Sequence, residues 1–198
     1  MKIGVDLDGV IFDTEKLYRV LAELYDVLEL KRNSIIDEKE LRFQSRYSWS
    51  KQEQENFINK YHEYIVKNAN FMPGADRVLR LLKKEGHELV IVTARGSTGK
   101  EYIEMTEKIF KDNNFEIFNK YYWGILDKGK VCKDENIDLM IDDYIENCIK
   151  VADVGIEVIY LKDTPSHEIK NNKYIKTLYN WGEVYRYIHD KSIKEQES

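Results

Sequence analysis

The chain has 198 residues, of which 31 are Lys or Arg and 36 are Asp or Glu, so its net charge is −5. It is 42% hydrophobic and 34% charged, which supplies the core of one domain with a small insertion and argues against disorder. An acidic chain does not favour a nucleic-acid surface, and no apolar run approaches the ~20 residues of a membrane span.

The first predicted strand, K-I-G-V-D-L, ends in two acids one residue apart, Asp6 and Asp8, with Gly9 directly behind. Like charges at a strand end repel each other, so a fold alone does not call for them, whereas a bound cation would offset the repulsion. Taken alone, D-x-D-G also fits a simple turn. It fits a calcium loop poorly, because the EF-hand pattern has its glycine two positions later.

Residues 15–71 are predicted to form a helical unit inserted between residues 1–14 and 72–198. Thr14 is expected to cap its first helix, and S-K-Q-E, starting at Ser50, is a capping box for a later one. The first helix has a periodic row of leucines, which predicts its buried face: Leu17, Leu21, Leu24 and Leu28.

Four aromatic residues stand in irregular or boundary segments of this insertion: Phe43, Tyr47, Trp49 and Phe71. They either stack on the base of a ligand, at about 1–3 kcal/mol per stacked base, or fill space between the insertion and the rest of the chain. The sequence leaves both alternatives open.

From Pro73 onward, apolar strands alternate with helices. Four further strands are predicted, H-E-L-V-I-V-T-A-R, Y-Y-W-G-I, D-L-M-I-D-D and I-E-V-I-Y-L, and a last helix over 181–190 is followed by a frayed charged tail. Near-continuous apolar strands predict a parallel sheet that is covered on both faces. The expected fold class is α/β, with a Rossmann-like three-layer α/β/α core and a small helical cap inserted after the first strand.

Polar residues follow four of these strands. They are Asp6 and Asp8, then Thr93-Ala94-Arg95, then Lys128, then Asp142 and Asp143. The carboxyl ends of parallel strands meet at one edge of the sheet, where ligands bind. Clustered carboxylates suit Mg²⁺, while a hydroxyl, backbone N–H groups and an ammonium suit phosphate oxygens. The sequence therefore predicts Mg²⁺-dependent phosphoryl chemistry.

The motifs D-L-D-G-V, T-A-R, a following lysine and I-D-D resemble the four motifs of the haloacid dehalogenase-like phosphohydrolases. The resemblance covers residues 1–13 and 72–160, and the insertion matches the helical cap of that superfamily. Within it, the chain is most similar to the 5'(3')-deoxyribonucleotidases and their bacterial relatives, which share V-T-A-R, I-D-D and the pair Asn180-Trp181. Those relatives often have T-P-Y-N where this chain has T-P-S-H at 164–167.

The resemblance implies roles for the acids. Asp6 would be the nucleophile that forms an aspartyl-phosphate, and Asp8 the general acid and then base. Asp142 would bind Mg²⁺ together with Asp6 and the backbone carbonyl of Asp8. Asp143 would support the metal from behind its direct ligands.

The resemblance also implies a phosphate-binding set. The Thr93 hydroxyl and the Ala94 N–H would bind phosphoryl oxygens, and Lys128 would pair with the same oxygens and with Asp6. Lys130 is the competing choice for this lysine. Arg95, the next residue after Ala94, is expected to be either a further phosphate contact or part of a surface ion pair.

The expected function is a Mg²⁺-dependent phosphomonoesterase acting on nucleoside or deoxynucleoside monophosphates. The alternatives are a phosphatase for another small organic phosphate, such as a sugar phosphate, and a phospho-accepting signalling domain. Its partner would be a small phosphorylated substrate, with no nucleic-acid polymer and no membrane, and a homodimer is compatible with this. Two cysteines without metal spacing and a start without a leader pattern favour the cytoplasm.

Overall fold

The computed structural model describes residues 1–162 and 172–197, with side chains described as far as residue 194. The chain divides into two compact units. The core unit comprises Met1–Phe12 and Phe71–Ser198, and the inserted unit comprises Asp13–Asn70. The T-P-S-H segment falls outside the described residues.

The core unit is built on a six-stranded sheet in the order β3-β2-β1-β4-β5-β6, in which every neighbouring pair is parallel. The strands are β1 (Lys2–Val5), β2 (Glu88–Val92), β3 (Lys120–Tyr122), β4 (Leu139–Asp142), β5 (Glu157–Leu161) and β6 (Ile175–Leu178). The central strands are apolar at nearly every position because both of their faces are buried. The α/β class with a parallel sheet is thus confirmed, and β1, β2 and β4 end side by side.

Eight α-helices are also present among the described residues. The inserted unit contains α1 (Thr14–Leu24), α2 (Phe43–Arg46) and α3 (Lys51–Asn68), and the core unit contains α4 (Ala75–Lys84), α5 (Glu101–Asp112), α6 (Lys128–Asp134), α7 (Ile145–Asp153) and α8 (Trp181–Glu197). On one face of the sheet, Cys132 of α6 and Cys148 of α7 pack against Val90, Met140 and Val158. In the described parts of the chain, no helix combines the length and apolarity that crossing a membrane requires.

The core unit differs from the sequence-based expectation in two places. The strand β6 was not predicted, because it is short and its sequence I-K-T-L has little apolar pattern; it pairs with β5 at the sheet edge. The predicted frayed tail is wrong for most of its length, since α8 continues to Glu197. The predicted start of this helix at Trp181 is confirmed, and the Trp181 Nε1–H donates to the Val10 carbonyl at 2.9 Å.

The inserted unit has its own aromatic interior. Ala22, Tyr25 and Phe57 are buried there with three of the aromatic residues singled out in the sequence. The predicted leucine face is wrong in its second half: Leu24 ends α1, and Leu28 lies in the π-helical turn (Tyr25–Glu29) that follows, where Tyr25 and Asp26 are the buried residues. Leu24 is 46% and Leu28 63% exposed. The helix begins at Thr14 itself, with Asp13 in the N-cap position.

The capping box at the start of α3 is confirmed. The Ser50 Oγ accepts from the Glu53 N–H, and the Glu53 carboxylate accepts from the Ser50 N–H at 2.8 Å. We expect Ser50→Ala to lower the free energy of unfolding by about 0.5–2 kcal/mol, because one helix N–H loses its acceptor. Urea denaturation measures this, with Lys51→Ala as the control, which removes an exposed side chain beside the cap. Equal stabilities of the two variants would show that the cap contributes nothing.

Candidate active site

An ion cluster lies at the carboxyl end of the two central strands. The Lys128 Nζ lies 2.7 Å from the Asp6 Oδ2 and 2.6 Å from the Asp142 Oδ2. Asp6 directly follows β1, Asp142 ends β4, and Lys128 is the first residue of α6, so three elements contribute one group each. The lysine side chain is 1% exposed, and its charge is therefore matched entirely inside the protein. Lys130, the competing choice, is exposed.

Asp142 is held in place by its own loop and helix. The Tyr144 N–H donates to Oδ1 at 2.9 Å, and the Asn147 Nδ2 lies 3.3 Å from both carboxylate oxygens. With Lys128, these donors satisfy a carboxylate that has no exposed surface. A buried charge requires such partners, so the orientation of Asp142 is fixed before any ligand arrives.

Burial and neighbouring charges shift the ionisation of this cluster. Burial raises the pKa of Asp6 to about 6, with Asp142 adding to the rise and Lys128 opposing it. Burial alone would lower the pKa of Lys128, but the two carboxylates outweigh burial and raise it. Lys128 therefore stays charged, while ionisation of Asp6 is costly without a further cation.

Asp143 extends the acidic cluster toward the first loop. One oxygen each from Asp6, Asp142 and Asp143 lie within 4.8 Å of one another. The Asp143 Oδ2 is also 3.5 Å from the Lys162 Nζ, which follows β5. Three carboxylates at this separation match the donor set that a hard divalent cation such as Mg²⁺ prefers, and such a cation would offset their repulsion.

Gly9 leaves room for Asp143. Its φ is +75°, and a Cβ at this position would lie 2.1 Å from the Asp143 Oδ2. We expect Gly9→Ala to force this carboxylate away and to weaken Mg²⁺ binding at least about tenfold, in addition to a backbone strain of about 1–2 kcal/mol.

The matched control is Gly86→Ala, because Gly86 has a φ of +90° but no atom within 4 Å of the added Cβ. It carries the strain without displacing a carboxylate. Calorimetric titration with Mg²⁺ compares the two variants. Wild-type affinity in Gly9→Ala would contradict a cation site that uses Asp143.

Asp8 points to a different partner from Asp6. The Arg95 Nη2 lies 2.5 Å from the Asp8 Oδ1, and the Arg95 Nε lies 3.2 Å from Oδ2. The arginine side chain is 1% and the Asp8 side chain 40% exposed, so the ion pair considered from the sequence is present, but its arginine lies in the interior and not at the surface. Arg95 is thus the partner of Asp8, and its role as a phosphate contact stays a prediction.

The remaining residues of the T-A-R segment form the loop after β2. Thr93 is buried, its Oγ1 accepts from the Arg95 N–H at 3.2 Å, and its N–H donates to the Tyr122 carbonyl. Ala94 is exposed, and its N–H donates to none of the residues described. An exposed N–H at this edge is compatible with the predicted binding of a phosphoryl oxygen.

The aromatic residues singled out in the sequence are packed among themselves. The Tyr47 and Trp49 rings stack with centroids 4.5 Å apart, and the Phe43 ring lies 4.9 Å from Phe57. All three singled-out rings of the inserted unit are buried in its own interior, which does not favour base stacking, and the alternative of gap filling stays a prediction. Phe71 belongs to the core unit, where it packs on Phe12 and Phe115.

No protein-family model matches the chain. Among curated proteins, it is similar to one described as a probable pseudouridine-5'-phosphatase of Drosophila melanogaster, with 26% identity over 140 residues. The match covers 64% of this chain and 58% of the fly protein, so the chain spans less than two thirds of its relative.

Solved structures are similar over nearly the whole chain. A haloacid dehalogenase-like family hydrolase from Streptococcus pneumoniae matches with a TM-score of 0.66 and 18% identity, over 94% of this chain and 97% of that one. The chain has the haloacid dehalogenase-like fold. A protein predicted to be a phosphoglycolate phosphatase from Haemophilus somnus has this fold too, with a TM-score of 0.59 and 14% identity over 94% of this chain and 97% of its own.

Within this haloacid dehalogenase-like core, sequence reasoning missed three side chains. Asn147 holds Asp142, Lys162 faces Asp143, and Thr106 contacts Arg95. Lys162 directly follows β5, so the strand-end argument that found Asp6 would have found it as well. Asn147 lies one helical turn beyond the I-D-D motif, which is a weaker signal. Nothing in the sequence marks Thr106.

Proposed function

We propose that the protein is a Mg²⁺-dependent phosphomonoesterase that hydrolyses a small organic phosphate through an aspartyl-phosphate on Asp6. The observation that carries this proposal is the ion cluster of Asp6, Lys128 and Asp142, with Asp8 two residues after the proposed nucleophile. The haloacid dehalogenase-like fold and the fly relative described as a phosphatase support the same reaction class.

In the first step, an Asp6 carboxylate oxygen attacks phosphorus and the bond from phosphorus to the ester oxygen breaks. Asp8 gives its proton to that departing oxygen. In the second step, the Asp8 carboxylate takes a proton from water, whose oxygen attacks phosphorus. The bond to Asp6 then breaks, inorganic phosphate leaves, and both acids return to their starting states.

Both the protein and the metal would stabilise the negative charge of the reacting groups. Lys128 balances negative charge on Asp6 and on the transferring phosphoryl group, and Asp142 keeps the lysine in place. Asp6 and Asp142 would hold Mg²⁺, and the proximity of Asp143 favours it as a further direct ligand over the supporting role that the resemblance implies. The metal would neutralise further charge when bound. The backbone carbonyl of Asp8 remains a predicted fourth ligand.

As the substrate, we favour a small organic phosphate ester in general over nucleotides in particular. The Haemophilus somnus neighbour is named for a small ester without a base, phosphoglycolate, whereas the fly relative is named for pseudouridine 5'-phosphate, which is a nucleoside monophosphate. The packing of Phe43, Tyr47 and Trp49 among themselves also removes the sequence argument for base stacking. A nucleoside monophosphate remains the finer hypothesis, and a homodimer and a cytoplasmic location remain predictions.

The test is phosphate release from a panel of sugar phosphates, glycolate phosphate and nucleoside monophosphates, with Mg²⁺ and with a chelator. We expect release that depends on Mg²⁺. A nucleotide preference above about tenfold, ~1.4 kcal/mol, would favour a nucleotidase. No release from any ester in the presence of Mg²⁺ would contradict the proposed function.

The raised pKa of Asp6 predicts how Mg²⁺ affinity depends on pH. Mg²⁺ needs the ionised carboxylate, so its affinity should be nearly constant above about pH 6 and fall toward about tenfold per pH unit below it. Without metal, the free energy of unfolding should fall as the pH rises from about 4 to about 6. In this range, the Asp6 carboxyl group is already ionised in the unfolded chain but still protonated in the folded one. Calorimetric Mg²⁺ titrations across this range check the first part, and a flat profile would contradict it.

A further inference from the structure

A buried arginine lies behind Asp8. Two nitrogens of the Arg95 guanidinium contact the two oxygens of the Asp8 carboxylate, at 2.5 and 3.2 Å. A planar guanidinium that meets both oxygens of a carboxylate fixes its direction as well as its distance. The two residues are 87 positions apart in the sequence, so the fold brings them together.

The arginine is itself held from two further sides. Its Nη1 donates to the Thr106 Oγ1 at 2.8 Å, and the Thr106 hydroxyl donates in turn to the Tyr102 carbonyl at 2.7 Å within α5. Its guanidinium carbon also lies 5.1 Å from the centre of the Phe12 ring, within the range of a cation–π contact. The guanidinium therefore has little freedom to turn away from Asp8.

The exposure of the two partners is unequal. The Asp8 side chain is 40% exposed, whereas that of Arg95 is 1% exposed. The guanidinium therefore contacts the Asp8 carboxyl group from the interior, while part of the Asp8 side chain remains accessible to solvent. Arg95 thus contacts the carboxyl group from its buried side.

We propose that Arg95 is a positioning residue, whose clamp on Asp8 directs this carboxyl group for proton transfer to the departing ester oxygen and then from the attacking water. The inference rests on the proposed function, in which Asp8 protonates the departing oxygen. Proton transfer needs donor and acceptor within hydrogen-bond reach, and a displacement of about 1 Å can cost about 10²-fold in rate.

The role has a specific kinetic consequence. An alkyl ester needs a proton on its departing oxygen, whereas p-nitrophenolate departs without one. A misdirected Asp8 should therefore slow first-turnover cleavage of glycerol phosphate much more than cleavage of p-nitrophenyl phosphate. A purely structural role for Arg95 would slow both reactions alike.

The experiment measures release of the alcohol or phenol in a single turnover, with enzyme in excess and Mg²⁺ present. For Arg95→Met, we expect a loss of about 30- to 100-fold with glycerol phosphate and less than about threefold with p-nitrophenyl phosphate. Arg95→Lys should recover part of the loss, because it keeps a cation there. The matched control is Arg80→Met, which removes an arginine stacked on the Phe115 ring in the same unit.

Thr106→Val serves as a second variant if Arg95→Met does not fold, since it removes one anchor of the guanidinium and keeps the ion pair. This variant should slow cleavage of glycerol phosphate a few-fold more than cleavage of p-nitrophenyl phosphate. Equal losses with both esters, or no loss with either, would overturn the inference, provided that wild type and Asp8→Asn behave as the proposed function requires. An inactive wild-type protein would instead overturn the proposed function and this inference with it.

Discussion

Replacing Asp6 with asparagine is expected to reduce turnover by at least about 10⁴-fold, because the amide cannot form the acyl phosphate on which both steps depend. Steady-state phosphate release from the best ester of the panel measures the loss. Activity within about tenfold of wild type in the purified variant would contradict the mechanism, because ordinary binding contacts account for losses of that size.

The same variant should fold normally. Lys128 keeps Asp142 as its partner, and the neutral amide avoids the cost of ionising a buried carboxyl group whose pKa is raised to about 6. At neutral pH without metal, Asp6→Asn should therefore be at least as stable as wild type. Mg²⁺ should raise the melting temperature of wild type much more than that of the variant.

Replacing Lys128 with methionine is expected to damage both stability and activity. Asp6 and Asp142 would then face each other in the interior without a cation, which costs about 3–5 kcal/mol for a broken buried ion pair. Turnover should fall by about 10²–10³-fold, because a fixed positive charge near the phosphoryl oxygens is lost. Urea denaturation and steady-state kinetics measure the two effects.

Lys130→Met is the matched control, since it is the same substitution two residues later, on an exposed side chain. It should leave stability within about 0.5 kcal/mol and turnover within about threefold of wild type. Mg²⁺ should restore part of the lost stability of Lys128→Met, because it would neutralise the same carboxylates. An unchanged Lys128→Met together with an inactive Lys130→Met would assign the phosphate-binding lysine to the other position.

Sequence reasoning located the ion cluster because strand ends are recognisable. Apolar runs that end in Asp6 and Asp142 predict neighbouring parallel strands, and the carboxyl ends of such strands meet at one edge. The structure brings these two acids to within 2.7 Å of one lysine. Lys162 stands at the same kind of position, directly after β5.

Other features depend on packing, which a single sequence does not encode locally. Arg95 is polar and stands in a loop, so only the fold shows that it is buried against Asp8. The rings of Tyr47 and Trp49 stand in an irregular segment, yet they pack inside the inserted unit. The strand β6 is stabilised by its pairing with β5, and little in its own four residues predicts it.

The most direct test of the account is to trap the covalent intermediate. The Asp8→Asn variant lacks the base for the second step, so with p-nitrophenyl phosphate and Mg²⁺ it should accumulate phosphoenzyme. Reduction of that acyl phosphate with borohydride, followed by peptide mass spectrometry, should find homoserine at position 6. Homoserine at another aspartate, or phosphate release with no modified Asp6 peptide, would contradict Asp6 as the nucleophile.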